Sequence, residues 1–188
     1  MSSLFRCRGP FVPLMVFFSL ADCGAVFGGD CVVWRELTPD GRRGAQIAYD
    51  SLRQVTVLFG GSTPSRAPTD TWEWNGERWS QRSRTGPALR STHSMAFDSW
   101  RGVTVMFGGE DKARTWEWDG LAWSSRPSGE LGARYSPAMA FDSTRGVTVL
   151  FGGYDAAEPY ELRGDTWEYD GEAWTLRSDA GPPARAQH

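Results

Sequence analysis

The phrase Phe-Gly-Gly occurs at residues 59–61, 107–109 and 151–153, each time inside the same longer sentence. Before it stand Ile47-Ala48-Tyr49-Asp50-Ser51, Met95-Ala96-Phe97-Asp98-Ser99 and Met139-Ala140-Phe141-Asp142-Ser143. After it stand Trp72-Glu73-Trp74-Asn75-Gly76, Trp116-Glu117-Trp118-Asp119-Gly120 and Trp167-Glu168-Tyr169-Asp170-Gly171. Each copy closes on a lone tryptophan, Trp79, Trp123 or Trp174. From the Met or Ile to the Phe is 12 residues in every copy, and from the first Trp to the lone Trp is 7. Only the stretch from Phe to first Trp varies strongly, at 13, 9 and 16 residues. A unit repeated this closely is one supersecondary element stacked on its neighbours. The fixed segments are scaffold and the variable one is a surface loop.

Each unit reads as four short strands, a to d. Strand a ends in the hydrophobic-Ala-aromatic triplet, and Asp-Ser-x-Arg-Gly turns the chain. Gly102 and Gly146 there are free to take positive φ, whereas the first copy has Gln54 and must differ or carry strain. Strand b is Val-Thr-Val-Leu/Met-Phe, apolar on both faces, as expected inside stacked sheets. The double glycine ends it where another backbone must pass closely. Strand c places its aromatics on one face and Glu73, Glu117 or Glu168 on the other. Asn75-Gly76, Asp119-Gly120 and Asp170-Gly171 signal tight c–d hairpins. A four-stranded antiparallel meander every ~45 residues is a propeller blade.

These residues resemble the kelch repeat: a hydrophobic strand ending in Gly-Gly, then aromatics, then a Trp at fixed distance. The resemblance covers Trp34 to the C-terminal end and implies an all-β fold, a kelch-type β-propeller segment similar to the galactose oxidase central domain. The short Asn/Asp-Gly hairpin departs from the longer c–d turn common in that family. The resemblance implies little about chemistry, because propellers carry many functions. Blades are expected at about 42–79, 90–123 and 134–174, with an orphan strand d around Trp34 and a partial fourth unit at 183–188. Closed propellers typically have four to eight blades. Three form an incomplete ring with apolar faces open at both ends, an association hazard. A truncated product or fragment is favoured over half-rings that close by dimerising.

Residues 1–25 read as a signal peptide. Arg6 and Arg8 precede a mostly apolar run, and Cys23, Gly24 and Ala25 follow it. The run is too short to span a bilayer comfortably. The expected location is therefore secreted, periplasmic or cell-surface, with lipidation at Cys23 disfavoured by the preceding Asp22. Cleavage near Ala25 leaves Cys31 as the single cysteine, so no intramolecular disulfide is expected. The net charge of −3 gives no strong field for nucleic acid.

Arg42, Arg90 and Arg134 stand five residues before strand a's Met or Ile, and Arg185 matches Arg90. Strand a lines the channel in propellers, so these four would ring its mouth beside the variable loops. Such a ring suits carboxylate, sulfate or acidic-sugar ligands. The alternative, which is favoured, pairs each Arg with an acidic side chain such as the strand-c Glu and locks the blades. Trp100 departs from the repeat, where the other copies have Leu52 and Thr144, and is a candidate exposed aromatic contact. The remaining tryptophans are expected in the core. His93 and His188 share a register but lack a paired carboxylate or Cys, a weak metal case. The loop from Tyr154 to Asp165 carries Asp155, Glu158, Glu161 and Asp165; solvated carboxylates are favoured there over calcium. Asp70 and Asp165 are expected to bond local amides.

There is no phosphate-binding glycine loop, no Gly-x-Ser-x-Gly elbow, and with two histidines little support for a Ser-His-Asp triad. The copper-ligand set of galactose oxidase does not map onto this chain. No catalytic residue, metal or cofactor is expected. The expected function is a binding module for a protein or glycan, through the b–c and d–a loops. The alternative is a fragment of a secreted carbohydrate-active or galactose-oxidase-like enzyme whose catalytic residues lie in missing blades. Self-association through open blade edges is a further expectation.

Overall fold

The computed structural model describes residues 5–6, 32–33, 38–66, 68–88, 90–109, 113–157, 159–179 and 181–186. The chain divides into two units, Met1–Leu37 and Thr38–His188. In the first, β1 (Phe5–Arg6) pairs antiparallel with β2 (Val32–Val33), with Phe5 opposite Val33. The rest of the expected leader lies outside the described residues, as do Cys31 and Trp34 of the expected orphan strand.

The second unit holds three antiparallel meanders, the propeller-like blades that the repeat specifies. Blade 1 runs β3 (Gln46–Asp50), β4 (Val55–Phe59), β5 (Thr71–Trp74) and β6 (Trp79–Ser83). Blade 2 runs β7 (His93–Asp98), β8 (Val103–Gly108), β9 (Arg114–Trp118) and β10 (Trp123–Pro127). In blade 3, β11 (Arg134–Tyr135) and β12 (Ala138–Asp142) both pair with the long β13 (Val147–Asp155). β14 (Leu162–Tyr169) and β15 (Trp174–Ser178) complete it. Among the described residues no helix is long and apolar enough to cross a membrane.

The turns follow from their acidic residues. Asp50, Asp98 and Asp142 each accept two amide hydrogen bonds on Oδ1, from the residues two and three ahead. Gln54 sits at φ 56°, beside 69° for Gly102 and Gly146, so blade 1 keeps the same turn and carries the strain. The c–d hairpins are four-residue turns capped by the side-chain oxygen of Asn75, Asp119 or Asp170. They are longer than a two-residue hairpin because the Asn or Asp caps the turn with its side chain while its Gly sits at φ 95° to 102°.

The core lies between blades. One cluster joins Ala48, Val57 and Phe59 of blade 1 to Met95, Met106 and Trp118 of blade 2. The other joins Val105 and Phe107 of blade 2 to Leu150, Trp167, Tyr169 and Trp174 of blade 3. Alternation along each strand therefore sends one set of side chains to the preceding blade and the other to the following blade.

Candidate functional site

The Gly-Gly end of the blades is where the sequence places the variable loops and the arginine register, and the structure brings them together there. The second glycine of each pair donates its N–H to the carbonyl of the arginine that opens the next unit. Gly61 bonds Arg90 at 2.8 Å, Gly109 bonds Arg134 at 3.0 Å and Gly153 bonds Arg185 at 2.9 Å. The first glycine leaves room for that carbonyl: a Cβ on Gly60 or Gly108 would lie 2.7 Å from it. The close backbone passage expected at the double glycine is thus a blade-to-blade link.

The guanidinium groups turn back onto their own blades. Arg42 donates to the Gly60 carbonyl at 3.3 Å and to Asp70 at 2.8 Å. Arg134 donates to the Gly152 carbonyl at 3.1 Å and grips Asp165 through both oxygens, at 2.8 and 3.1 Å. Arg90 is buried, donates to the Ala88 carbonyl at 3.0 Å and lies 6.0 Å over the Trp116 ring. Arg185 is exposed and donates to the Pro183 carbonyl. Burial pushes the Asp165 carboxyl up, but the hydrogen bonds from Arg134 and Trp167 outweigh it and hold the group below the usual range. Asp70 and Asp165 therefore serve the arginines, where local amide bonding was expected.

The strand-c glutamates have different partners, which sequence reasoning missed. The arginine of each Asp-Ser-x-Arg turn bridges its own Asp to that Glu. Arg53 reaches Asp50 at 2.7 Å and Glu73 at 2.6 Å, and Arg101 reaches Asp98 at 2.7 Å and Glu117 at 2.5 Å. Arg145 does the same with Asp142 and Glu168. A strand-d arginine, Arg82, Arg126 or Arg177, takes the other Glu oxygen. The signal was available: all four residues recur at one register.

The same Glu and its neighbouring Thr receive the next blade. Trp118 donates to Glu73 at 3.2 Å, and Tyr169 donates to Glu117 at 3.1 Å. Trp123 donates to Thr71 at 2.8 Å, and Trp174 donates to Thr115 at 2.7 Å. Burial pushes Glu117 up, yet hydrogen bonds from Arg101 and Arg126 hold it below the usual range. Burial and the neighbouring Glu117 push the Tyr169 phenol up, so it stays a donor.

Two further residues at this end were not singled out from sequence. Thr92 and Ser136 are held at φ 61° and 52°, in the register that Gly44 fills at 67°. Thr92 N–H bonds the Gly44 carbonyl at 3.3 Å and Ser136 N–H bonds the Thr92 carbonyl at 2.7 Å. These corners form a hydrogen-bonded chain from blade to blade between each Arg and strand a.

The expected acidic loop of blade 3 is largely hairpin. Tyr154 and Asp155 extend β13, and residues 162–165 extend β14, because Gly153 and Tyr154 pair with Arg163 and Leu162. Asp155 pairs with Arg163 and Asp165 with Arg134; Glu158 lies outside the described residues. Among the described residues no cluster of three or more His, Cys, Asp or Glu forms a metal site. His93 is buried over Gly60 with its ring 6.0 Å from that of Phe59. Burial, with the charge of Arg90, pulls its pKa down to about 3. His188 lies outside the described residues.

Trp100 is 65% exposed, at the a–b turn end opposite the variable loops. Its indole lies over Gly146 of the next blade. A depression of about 330 Å³ is lined by the three strands a, including Tyr49, Phe97 and Phe141, with Ser51 and Ser99 of the turns.

No family model matches the chain, and no curated protein matches it. Among solved structures it is similar to YjhT, with a TM-score of 0.64 at 13% identity over 79% of this chain. The match covers 55% of YjhT, so the chain spans about half of that protein's length. At this identity the likeness speaks for the fold alone: all-β, of propeller-like blades.

Proposed function

We propose that the chain is an exported kelch-type propeller segment that binds a protein or a glycan through its b–c and d–a loops and performs no catalysis of its own. One observation carries the reading. Thr92 and Ser136 hold left-handed backbone side by side, at the end of the blades where the variable loops emerge. Non-glycine residues keep such conformations where the surroundings over-determine them, and these cluster at active sites, ligand clamps and switch regions. The exposed guanidinium of Arg185 at that end favours an anionic ligand, whereas Arg66 is already paired with Asp40. The buried carboxylates of the blades are tied to arginines, which suits them to scaffolding. The Gly-Gly and Trp register supports the kelch assignment, and the charged-apolar-small order of residues 1–25 supports export.

The test is retention of the full chain on an array of neutral, sulfated and uronate-bearing glycans, with mass spectrometry of the probes afterwards. The expected result is retention on anionic probes, which remain chemically unchanged. Thr92→Ala with Ser136→Ala and Arg185→Ala should weaken retention, whereas Trp100→Ala at the opposite end should not. Conversion of a probe, or loss of retention through Trp100→Ala alone, would overturn the reading.

A further inference from the structure

Asn75 is the only asparagine of the chain, and Gly76 follows it. The matching corners of blades 2 and 3 are Asp119-Gly120 and Asp170-Gly171. All three corners share one geometry. Asn75 Oδ1 accepts the N–H groups of Glu77 and Arg78 at 3.1 and 2.9 Å. Asp119 Oδ1 accepts those of Leu121 and Ala122, both at 2.8 Å, and Asp170 Oδ1 those of Glu172 and Ala173, both at 2.9 Å. The glycines sit at φ 95°, 95° and 102°. The Asn or Asp is exposed in every blade, so water reaches this corner whatever the blade's place in the arc. The corner opens the Asn75 amide to attack in two ways. Gly76 N–H meets no acceptor among the described residues, and glycine has no side chain to hinder its approach to the neighbouring Cγ. The paired N–H groups at Oδ1 draw electron density from Cγ and cradle negative charge on that oxygen. The main-chain carbonyl of Asn75 has no such donors among the described residues.

We propose that Asn75 is a self-processing site: the folded hairpin expels ammonia through a cyclic imide with Gly76 and reopens it to aspartate, giving blade 1 the Asp-Gly corner of the other blades. Hydroxide takes the Gly76 N–H proton, and the freed nitrogen pair forms a bond to Cγ. The carbonyl π pair moves onto Oδ1, held there by the Glu77 and Arg78 N–H groups. It returns as the Cγ–Nδ2 bond breaks, and Nδ2 leaves as ammonia with a proton from water. Water then adds to the imide. Addition at Cγ breaks the new bond, restores the Gly76 N–H and leaves aspartate. Addition at the main-chain carbonyl leaves isoaspartate, with an extra carbon in the main chain. The two donors at Oδ1 activate the first carbonyl and not the second. The hairpin also suits the aspartate product. The carboxyl of Asp119 is held below the usual range by the amides of Ala122 and Leu121, and that of Asp170 by those of Ala173 and Glu172. An extra main-chain carbon would instead disturb the Trp74 and Trp79 pair that closes the hairpin. This inference stands independently of the proposed ligand.

The test incubates the full chain for several weeks at pH 7 and at pH 8 and maps the tryptic peptide of residues 67–78 by mass spectrometry, with isoaspartate read by its methyltransferase. A parallel sample is unfolded in urea. Asn75→Gln, checked for folding by circular dichroism, cannot close the same ring. The folded chain should exchange its amide for a carboxyl at residue 75, about tenfold faster at pH 8 than at pH 7 because the attacking nitrogen must first lose its proton. Its ratio of aspartate to isoaspartate should be several-fold higher than in urea. Asn75→Gln should keep its amide over the same period. A folded chain that keeps Asn75, equal product ratios in the folded and urea samples, or conversion of Asn75→Gln at the native rate would each overturn the proposal.

Discussion

His93 makes stability depend on pH in a window of its own. The side chain is 1% exposed and packed over Gly60. Burial and the nearby Arg90 place its folded pKa at about 3, against 6.5 when free. The unfolded chain therefore takes up a proton near pH 6.5 that the folded chain refuses. The stability is fully present above that pH and is lost as pH falls toward the folded pKa. One proton difference corresponds to ~1.4 kcal/mol per pH unit, and the whole interval to roughly 5 kcal/mol. Asp70, Asp165 and Glu117, all held below the usual carboxylate range, lose their stabilisation only at lower pH. The interval from pH 6 to 5 thus isolates the histidine. Blade 3 shows that the site needs no titrating group, since Pro137 fills the matching position over Gly108. Urea unfolding followed by tryptophan fluorescence should give a slope of ~1.4 kcal/mol per pH unit in the native chain and a nearly flat line in His93→Leu. Equal slopes in the two proteins would refute the reasoning.

The arginine register separates by burial. Arg134→Ala strips the charged partner from Asp165, leaving it the Trp167 indole alone, and should cost ~3 kcal/mol in thermal or urea unfolding, whereas the exposed Arg185→Ala should change stability by less than ~0.5 kcal/mol. Glycine positions separate by what a methyl group meets. Gly108→Ala, at φ 87° with the Arg134 carbonyl 2.7 Å from the new Cβ, should destabilise by more than ~3 kcal/mol. Gly76→Ala, at φ 95° in open space, should cost only the backbone strain of ~1 kcal/mol. Tyr169→Phe removes a buried donor to Glu117 and should cost ~1 kcal/mol, read by the same unfolding curves.

The blades were legible because their determinants are local and repeated. Val-Thr-Val strands, Asp-capped turns and Gly-Gly ends each act within a few residues, so spacing reports them. The need for glycine at Gly60 and Gly108 was readable as a close backbone approach, although the partner carbonyl, 26 to 30 residues away, was not. Side-chain partners across blades were harder. Glu73, Glu117 and Glu168 were placed correctly on the face away from the aromatics. Their partners depend on how far one blade rotates from the next, and no single repeat encodes that. The arginine ring shows the same limit: register brought Arg42, Arg90 and Arg134 to one end, but burial of the guanidinium groups is a tertiary fact. The blade 3 loop misled because length alone suggested an open loop. Gly153 and Tyr154 continue the ladder instead, and Arg163 neutralises Asp155 across it.

The account rests on a single border repeated from blade to blade, in which an indole of one blade is held by a threonine of the blade before it. A double-mutant cycle on Trp123→Phe and Thr71→Val measures that border directly, because the 2.8 Å bond joins residues 52 apart and the two substitutions keep most of the packing. The predicted coupling is ~1 kcal/mol in unfolding free energy, each single variant having already lost what the double variant loses. Strictly additive effects would contradict the border as described.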